Sequence, residues 1–175
     1  MGTLDAPAYK VEIRDLRVAQ AGEEEGSWGL TLHSDDLAIG PALLESSLAT
    51  VLSSPQTPRT IHPPQQLHVD LSLVWVQGVV MGVQNSSSLR ISDGTGEAVV
   101  HDFNTLPGGN HSGIVNGSYV GVMGQLLSNK PCIVIKGSKI MYLGNNPTLK
   151  SMWSSEIVAD RAYLLGMILP EVGAE

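Results

Sequence analysis

The sequence predicts an all-β fold: one small five-stranded OB-fold barrel with a C-terminal α-helix. Nineteen glycines and ten prolines among 175 residues indicate many turns and short connections. The apolar residues between 67 and 143 alternate with period two, which is the pattern of half-buried strands. Glycines lie inside these stretches, and interior glycines are typical of strands that coil sharply around a small barrel.

The predicted strands follow one another with short turns. Near the N-terminus, residues 9–13 and 28–32 alternate and predict two strands joined by a turn at 21–26. The sequence Asp93-Gly94-Thr95-Gly96 predicts a tight hairpin, because its glycines supply the backbone freedom that such a turn needs. The remaining strand segments are predicted at 67–73, 74–83, 89–92, 98–103, 118–127, 132–135 and 139–143.

We expect one domain at residues 8–165, between a flexible N-terminus (1–7) and a C-terminal tail (166–175). Residues 34–66 interrupt the strand pattern with proline-rich stretches at 53–58 and 62–66. Four leucines at helix-like spacing also allow a short helix near 41–53. We interpret 34–66 as a mobile insertion within the domain.

The sequence Asn145-Asn146-Pro147 is predicted to end the sheet and start the C-terminal helix, with Thr148 as its cap. One apolar stripe contains Leu149, Met152, Trp153, Ile157 and Leu164. The opposite face carries Lys150, Ser151, Ser154, Ser155 and Arg161. This pattern leaves two interpretations open, since the stripe can pack on the chain's own barrel or on a partner.

The composition argues against catalysis and against a metal or cofactor site. The five histidines show no metal-ligand spacing, and no nucleophile motif occurs. Cys132 lies in an apolar run and is expected to be a buried core thiol, which leaves no disulfide. The first residues lack the pattern of a signal peptide, and no segment approaches the roughly 20 apolar residues of a membrane span. We therefore expect a soluble intracellular protein.

The charge pattern argues against strong nucleic-acid binding by this chain alone. Seventeen acidic residues face ten basic ones, for a formal charge of −7, whereas nucleic-acid binders usually carry the opposite balance. The barrel region 67–146 is neutral and poor in aromatic residues, although Lys130, Lys136 and Lys139 could form one small positive strip. A single-strand-binding OB subunit of the replication protein A or telomere-capping type remains the alternative.

Several motifs resemble those of the RecQ-mediated genome instability protein 2 family. The matching segments are Val74–Met81, Leu89–Gly96, Gly117–Gly124, Leu143–Pro147 and Met152-Trp153, in the family's order and spacing. The strand with Trp75, Gln77 and Gly78, followed by Asn-Pro and a Met-Trp-x-x-Glu helix, is the specific part. The resemblance covers roughly 67–165, is fainter near 8–11 and 26–30, and does not include 34–66.

The resemblance implies a nuclear, non-catalytic OB subunit that supports DNA repair. Members pair with the C-terminal OB domain of RecQ-mediated genome instability protein 1. The pair joins topoisomerase III alpha and the Bloom syndrome RecQ helicase in dissolving double Holliday junctions, and the Fanconi anaemia group M protein is expected to dock there. By the same resemblance, Lys10, Met152, Trp153 and Ile157 would face the partner barrel. Lys139 would contact further members of the complex.

Overall fold

The computed structural model describes residues 7–24, 26–33, 66–85, 87–106, 113–144 and 146–165. Some predictions therefore lie outside the described residues. These are the flexible N-terminus at 1–6, the insertion and short helix within 34–65, and the tail at 166–175.

The elements begin with an N-terminal unit and continue into long strands and a final helix. The first part contains β1 (Ala8–Lys10), α1 (Ile13–Val18), β2 (Gln20–Ala21), β3 (Trp28–His33) and β4 (Gln66–Asp70). The second part contains β5 (Leu73–Asn85), β6 (Ser88–Ser92), β7 (Glu97–His101), a 3-10 turn (Phe103–Thr105), β8 (Tyr119–Ser128), β9 (Ile133–Gly144) and α2 (Pro147–Leu164).

Strands β5 to β9 pair around a closed ring, which confirms the predicted five-stranded barrel. β5 is antiparallel to both β6 and β8, and β6 is antiparallel to β7. β7 runs parallel to β9, and β9 returns antiparallel to β8. The side chains that alternate inward are fully buried and include Val74, Val76, Ile91, Val100, Val122, Ile135 and Ile140. The period-two pattern thus identified the core correctly.

A close approach between β8 and β9 explains one of the interior glycines. A Cβ atom added at Gly124 would lie 2.2 Å from the backbone oxygen of Lys136. At this point the register between the two strands shifts, from Met123 opposite Lys139 to Gly124 opposite Gly137. A bulge of this kind bends a strand and increases its twist. Gly124 therefore allows the barrel to close here.

The N-terminal unit differs from its prediction. β1 ends at Lys10, where it runs parallel to β5, and residues 13–18 form α1 instead of completing a strand over 9–13. Ile13 and Leu16 are fully buried on one side of this helix. Reciprocal hydrogen bonding between Glu12 and Asp15 caps its first turn. β2, β3 and β4 form a separate three-stranded antiparallel sheet.

Two further predictions near the end of the barrel were wrong. Residues 133–135 and 139–143 belong to one continuous strand, β9, in which the bulge opposite Gly124 lies between the two parts. Cys132 is exposed instead of buried, since it lies in the turn before β9 begins at Ile133. Within the described residues, no helix is long and apolar enough to cross a membrane.

Candidate interaction surface

Helix α2 begins at a clear capping signal. The side chain of Asn146 accepts a hydrogen bond from the backbone N–H of Thr148 at 2.9 Å, and Pro147 occupies the first helical turn. Asn146 is therefore the cap, and the prediction of Thr148 in that role was wrong. Proline is favoured at the first helical position because it has no N–H to leave unpaired.

Some residues of the predicted apolar stripe of α2 are buried against the chain's own barrel, and others are exposed to solvent. Trp153 and Ile157 are 4% and 1% exposed, whereas Met152 is 48% exposed. Arg161, which was predicted on the solvent side, is buried and forms an ion pair with Asp15 of α1. Trp153, Ile157 and Arg161 are spaced four residues apart, so they form a single line along the helix. That line is the face that packs against the barrel and α1.

Two tryptophans join α2 to the barrel. Trp75 lies on the outer face of β5, between the inward residues Val74 and Val76, and its ring centroid is 5.8 Å from that of Trp153. The ring planes are inclined by 47°. An aromatic pair of this kind contributes about 0.5–1.5 kcal/mol beyond the area that it buries. The pair fixes the middle of α2 against β5.

Lys10 strengthens the same junction from β1. Its Nζ lies 5.5 Å from the centroid of the Trp75 ring, 3.2 Å from Glu156 Oε2 and 3.3 Å from Asp160 Oδ2. Burial alone would lower the pKa of Lys10, but the hydrogen bond to Glu156 and the charge of Asp160 outweigh it, so the pKa is raised. Lys10 is thus held by the chain's own helix.

A buried polar pair lies beneath the first turns of α2. The hydroxyl of Tyr119 on β8 donates to Gln77 Oε1 on β5 at 3.0 Å. Burial, together with the charges of Asp93 and Glu156, raises the pKa of Tyr119 to about 12. Tyr119 therefore stays a neutral donor over the physiological range. The pair and Trp153 line the same cleft.

The outer side of α2 carries apolar side chains that nothing in the described chain covers. Leu149, Met152 and Tyr163 are 39%, 48% and 56% exposed, and Ala159 is exposed between them. With Glu156, they follow the spacing 149, 152, 156, 159, 163, which alternates three and four residues as in a coiled-coil seam. We call these five residues the α2 seam.

Lys139 lies on the barrel wall near this helix. It is exposed on β9, opposite Met123 of β8, and Met123 is in turn opposite Trp75. Lys136 is exposed on the same strand, and Lys130 in the turn before it. The bulge opposite Gly124 separates Lys136 and Lys139 by an extra residue.

The wall formed by β6 and β7 has little that would hold a nucleic-acid strand. OB folds bind oligonucleotides on this wall with stacked aromatic rings and basic side chains. Neither strand contains Phe, Tyr or Trp. Arg90 is paired with Glu97 at 3.7 Å, so its charge is largely balanced.

The structure separates the five predicted site residues into two groups. Lys10, Trp153 and Ile157 meet at the α2–barrel junction, whereas Met152 and Lys139 are exposed. Sequence reasoning missed Trp75 as an outer residue and Glu156 and Asp160 as partners of Lys10. Alternation placed Trp75 outward between two core valines, and this signal could have identified it.

Comparison with known proteins gives a consistent result. The family model for RecQ-mediated genome instability protein 2 matches residues 44–161, so its match begins inside the predicted insertion. The chain is 34% identical over 89 residues to the protein of that name from Gallus gallus, and 33% identical over 91 residues to that from Mus musculus. These matches cover 50% and 51% of this chain and 64% and 58% of the relatives. The aligned part thus spans less than two thirds of either relative.

The fold also has a relative among solved structures. A chain of a replication protein A heterotrimer bound to ssDNA superposes with a TM-score of 0.56 at 16% identity. The match covers 91% of this chain and 98% of the other. This likeness supports the OB fold alone. Together with the family match over residues 44–161, it shows that the chain is an OB-fold member of the RecQ-mediated genome instability protein 2 family.

Proposed function

We propose that this chain is a non-catalytic scaffold subunit that pairs with the C-terminal OB domain of RecQ-mediated genome instability protein 1. The observation that carries the proposal is the α2 seam. Leu149, Met152 and Tyr163 remain exposed on a helix whose other side is fixed to the barrel. A fixed helix face with exposed apolar side chains is suited to packing against another helix or barrel wall.

The predicted partner residues take different parts in this proposal. Met152 contacts the partner directly, since its side chain is on the surface of the free chain. Trp153, Ile157 and Lys10 support the partner surface indirectly, because they hold α2 on β1 and β5. Methionine is enriched at interfaces because its flexible side chain adapts to irregular surfaces.

Lys139 makes a second contact in the same proposal, separate from the pairing surface. It contacts further members of a nuclear complex that contains topoisomerase III alpha and the Bloom syndrome RecQ helicase, with the Fanconi anaemia group M protein as an additional partner. The exposed position of Lys139 on β9, outside the five residues of the α2 seam, supports a separate contact. Through these contacts the chain supports the dissolution of double Holliday junctions.

The acidic side chains around α2 have structural parts in this proposal. The acidic side chains at the α2 junction are already paired, Glu156 and Asp160 with Lys10 and Asp15 with Arg161. These carboxylates hold the structure together and are not arranged around an open reaction site.

Light scattering after size exclusion tests the pairing. The chain is measured alone, with the C-terminal OB domain of the proposed partner, and with a labelled single-stranded oligonucleotide at two salt concentrations. We expect a one-to-one protein complex, which is retained when residues 34–65 are deleted. A chain that ignores the partner domain but binds the oligonucleotide in a salt-sensitive way would instead be a single-strand-binding subunit.

A further inference from the structure

The Asp93-Gly94-Thr95-Gly96 hairpin holds the first turn of α1. Asp93 Oδ2 accepts from the backbone N–H of Ile13 at 2.7 Å, and Thr95 Oγ1 accepts from that of Arg14 at 3.2 Å. The other carboxylate oxygen of Asp93 accepts from both the backbone and the hydroxyl of Thr95, and from the backbone of Gly96. Asp93 thus fixes the hairpin and α1 at once.

The opposite end of α1 is held by Asn129, which lies just after β8. Its buried side-chain amide donates to the backbone oxygens of Leu16, Arg17 and Ala19 at 3.1, 3.3 and 2.8 Å. These are the carbonyl groups that a helix leaves unpaired at its C-terminus. With both ends held by the barrel and Ile13 and Leu16 buried beneath, α1 is a fixed support.

One buried ion pair connects this support to α2. Asp15 accepts from the backbone N–H of Glu12 and from the guanidinium of Arg161. The side chains of Asp15 and Arg161 are only 13% and 11% exposed. The other ion pairs of α2, from Lys10 to Glu156 and Asp160, involve carboxylates that are 38% and 49% exposed. Water and salt screen such exposed pairs.

From this geometry we infer that α1 positions the last two turns of α2 through the Asp15–Arg161 pair, while Asp93 and Asn129 hold α1 on the barrel. We call this arrangement the clasp. The Trp75–Trp153 pair holds the middle of the helix. Beyond Ile157, Ala162 and Leu165 are buried in the core and Asp160 pairs with Lys10. Arg161 adds a largely buried ion pair to these contacts, and Tyr163 of the α2 seam lies two residues further on. Arg161 and Asp15 are therefore positioning residues for the partner surface. This role rests on the proposed function, whereas the clasp itself does not.

Hydrogen exchange measured by mass spectrometry on the full chain tests the clasp without any partner. Asp15→Asn keeps the shape of the side chain but removes its charge. We expect exchange of the amides at 157–165 to rise by about tenfold or more, as for the loss of one charge-assisted hydrogen bond, while β5 and β8 remain protected. Arg90→Gln is the control, because it breaks an ion pair between β6 and β7 that includes no residue of α1 or α2, and it should leave 157–165 unchanged.

Two additional variants separate positioning from general stability. Arg161→Gln should give the same local pattern as Asp15→Asn, and the double variant should add little, since both remove one interaction. Asp15→Glu keeps the charge and should stay close to the original chain. A uniform rise in exchange over the whole chain, or no rise at 157–165, would overturn the clasp.

Binding measurements with the partner domain distinguish a failure of the clasp from a failure of the proposed function. If the original chain binds the partner domain, Asp15→Asn should weaken this binding by roughly tenfold, measured under conditions in which the variant is fully folded. Unchanged affinity despite local exchange would overturn the positioning role. If the original chain does not bind that domain, the proposed function fails, and the exchange result still decides whether the clasp exists.

Discussion

Trp75 of β5 and Trp153 of α2 lie with their ring centroids 5.8 Å apart, and this pair joins the barrel to its C-terminal helix. Neither ring belongs to the barrel interior. Trp75 points outward from its strand, and Trp153 is buried where α2 packs against that strand. The junction therefore decides whether α2 is a fixed surface or a loose tail.

Replacing Trp153 with alanine should destabilise the fold. The side chain is 4% exposed, and removing a buried tryptophan costs about 3–5 kcal/mol through lost burial and the cavity that remains. Denaturant unfolding measures this loss. Met152→Ala is the matched control, since the neighbouring side chain is half exposed and its removal should leave stability within about 0.5 kcal/mol. Equal losses in the two variants would contradict the burial of Trp153.

Reversing the charge of Lys139 should leave pairing intact. The side chain is exposed on β9 and lies outside the α2 seam, so Lys139→Glu should form the one-to-one complex as the original chain does. Recruitment of the helicase or another member should weaken, as measured by pull-down with the preformed pair. Lys136→Glu changes the charge equally on the same strand and should recruit normally. Loss of pairing in Lys139→Glu would count against this division of the surface.

Stability should fall in alkaline solution. The pKa of Tyr119 is raised to about 12 from an ordinary value of 10.0. A raised pKa means that the protonated form is favoured by folding, so this contribution is complete below about pH 10 and is lost as the pH rises through about 12. The raised pKa of Lys10 acts in the same direction above its ordinary 10.5.

Denaturant unfolding at neutral and alkaline pH checks this expectation. Tyr119→Phe removes the titrating hydroxyl and should flatten the decline. At neutral pH it should cost about 0.5–1.5 kcal/mol, because the hydrogen bond to Gln77 is lost. Parallel pH curves for the two chains would show that Tyr119 does not contribute to the alkaline loss.

A methyl group at Gly124 should strain the barrel. The added Cβ would lie 2.2 Å from the backbone oxygen of Lys136, which cannot move without opening the β8–β9 ladder. Forced overpacking of this kind costs about 1–3 kcal/mol. Gly82→Ala is the control, because an added Cβ there meets nothing within 4 Å. A thermal unfolding midpoint that falls equally in both variants would contradict the close approach.

The barrel was predictable because its signal is local. Alternating residues such as Val74, Val76 and Val122 identify the inner face without knowledge of the pairing partners. α1 was missed because it is only six residues long and its stability comes from distant groups, Asp93 and Asn129. Propensity within so short a segment does not reveal such contacts.

The surface was predictable only in part, for a similar reason. The sequence indicates that α2 is amphipathic, but the division between buried and exposed apolar residues depends on which line of the helix meets the barrel. Arg161 illustrates this point, since a charged residue was assigned to solvent and instead pairs with Asp15 across 146 positions of sequence. Cys132 shows the opposite case, in which an apolar residue was assigned to the core and is exposed. It lies one position before β9 begins, and is therefore outside the core.

The most direct test of the central claim is the dissociation constant for the partner's C-terminal OB domain, measured for the original chain and for Met152→Asp. Met152 is exposed in the α2 seam, so the substitution should cost no more than about 1 kcal/mol, from the lower helix propensity of Asp and the like charge of Glu156. A carboxylate buried without a partner in the interface should weaken binding by more than about tenfold. Unchanged affinity in a fully folded Met152→Asp chain would show that the α2 seam is not the pairing surface.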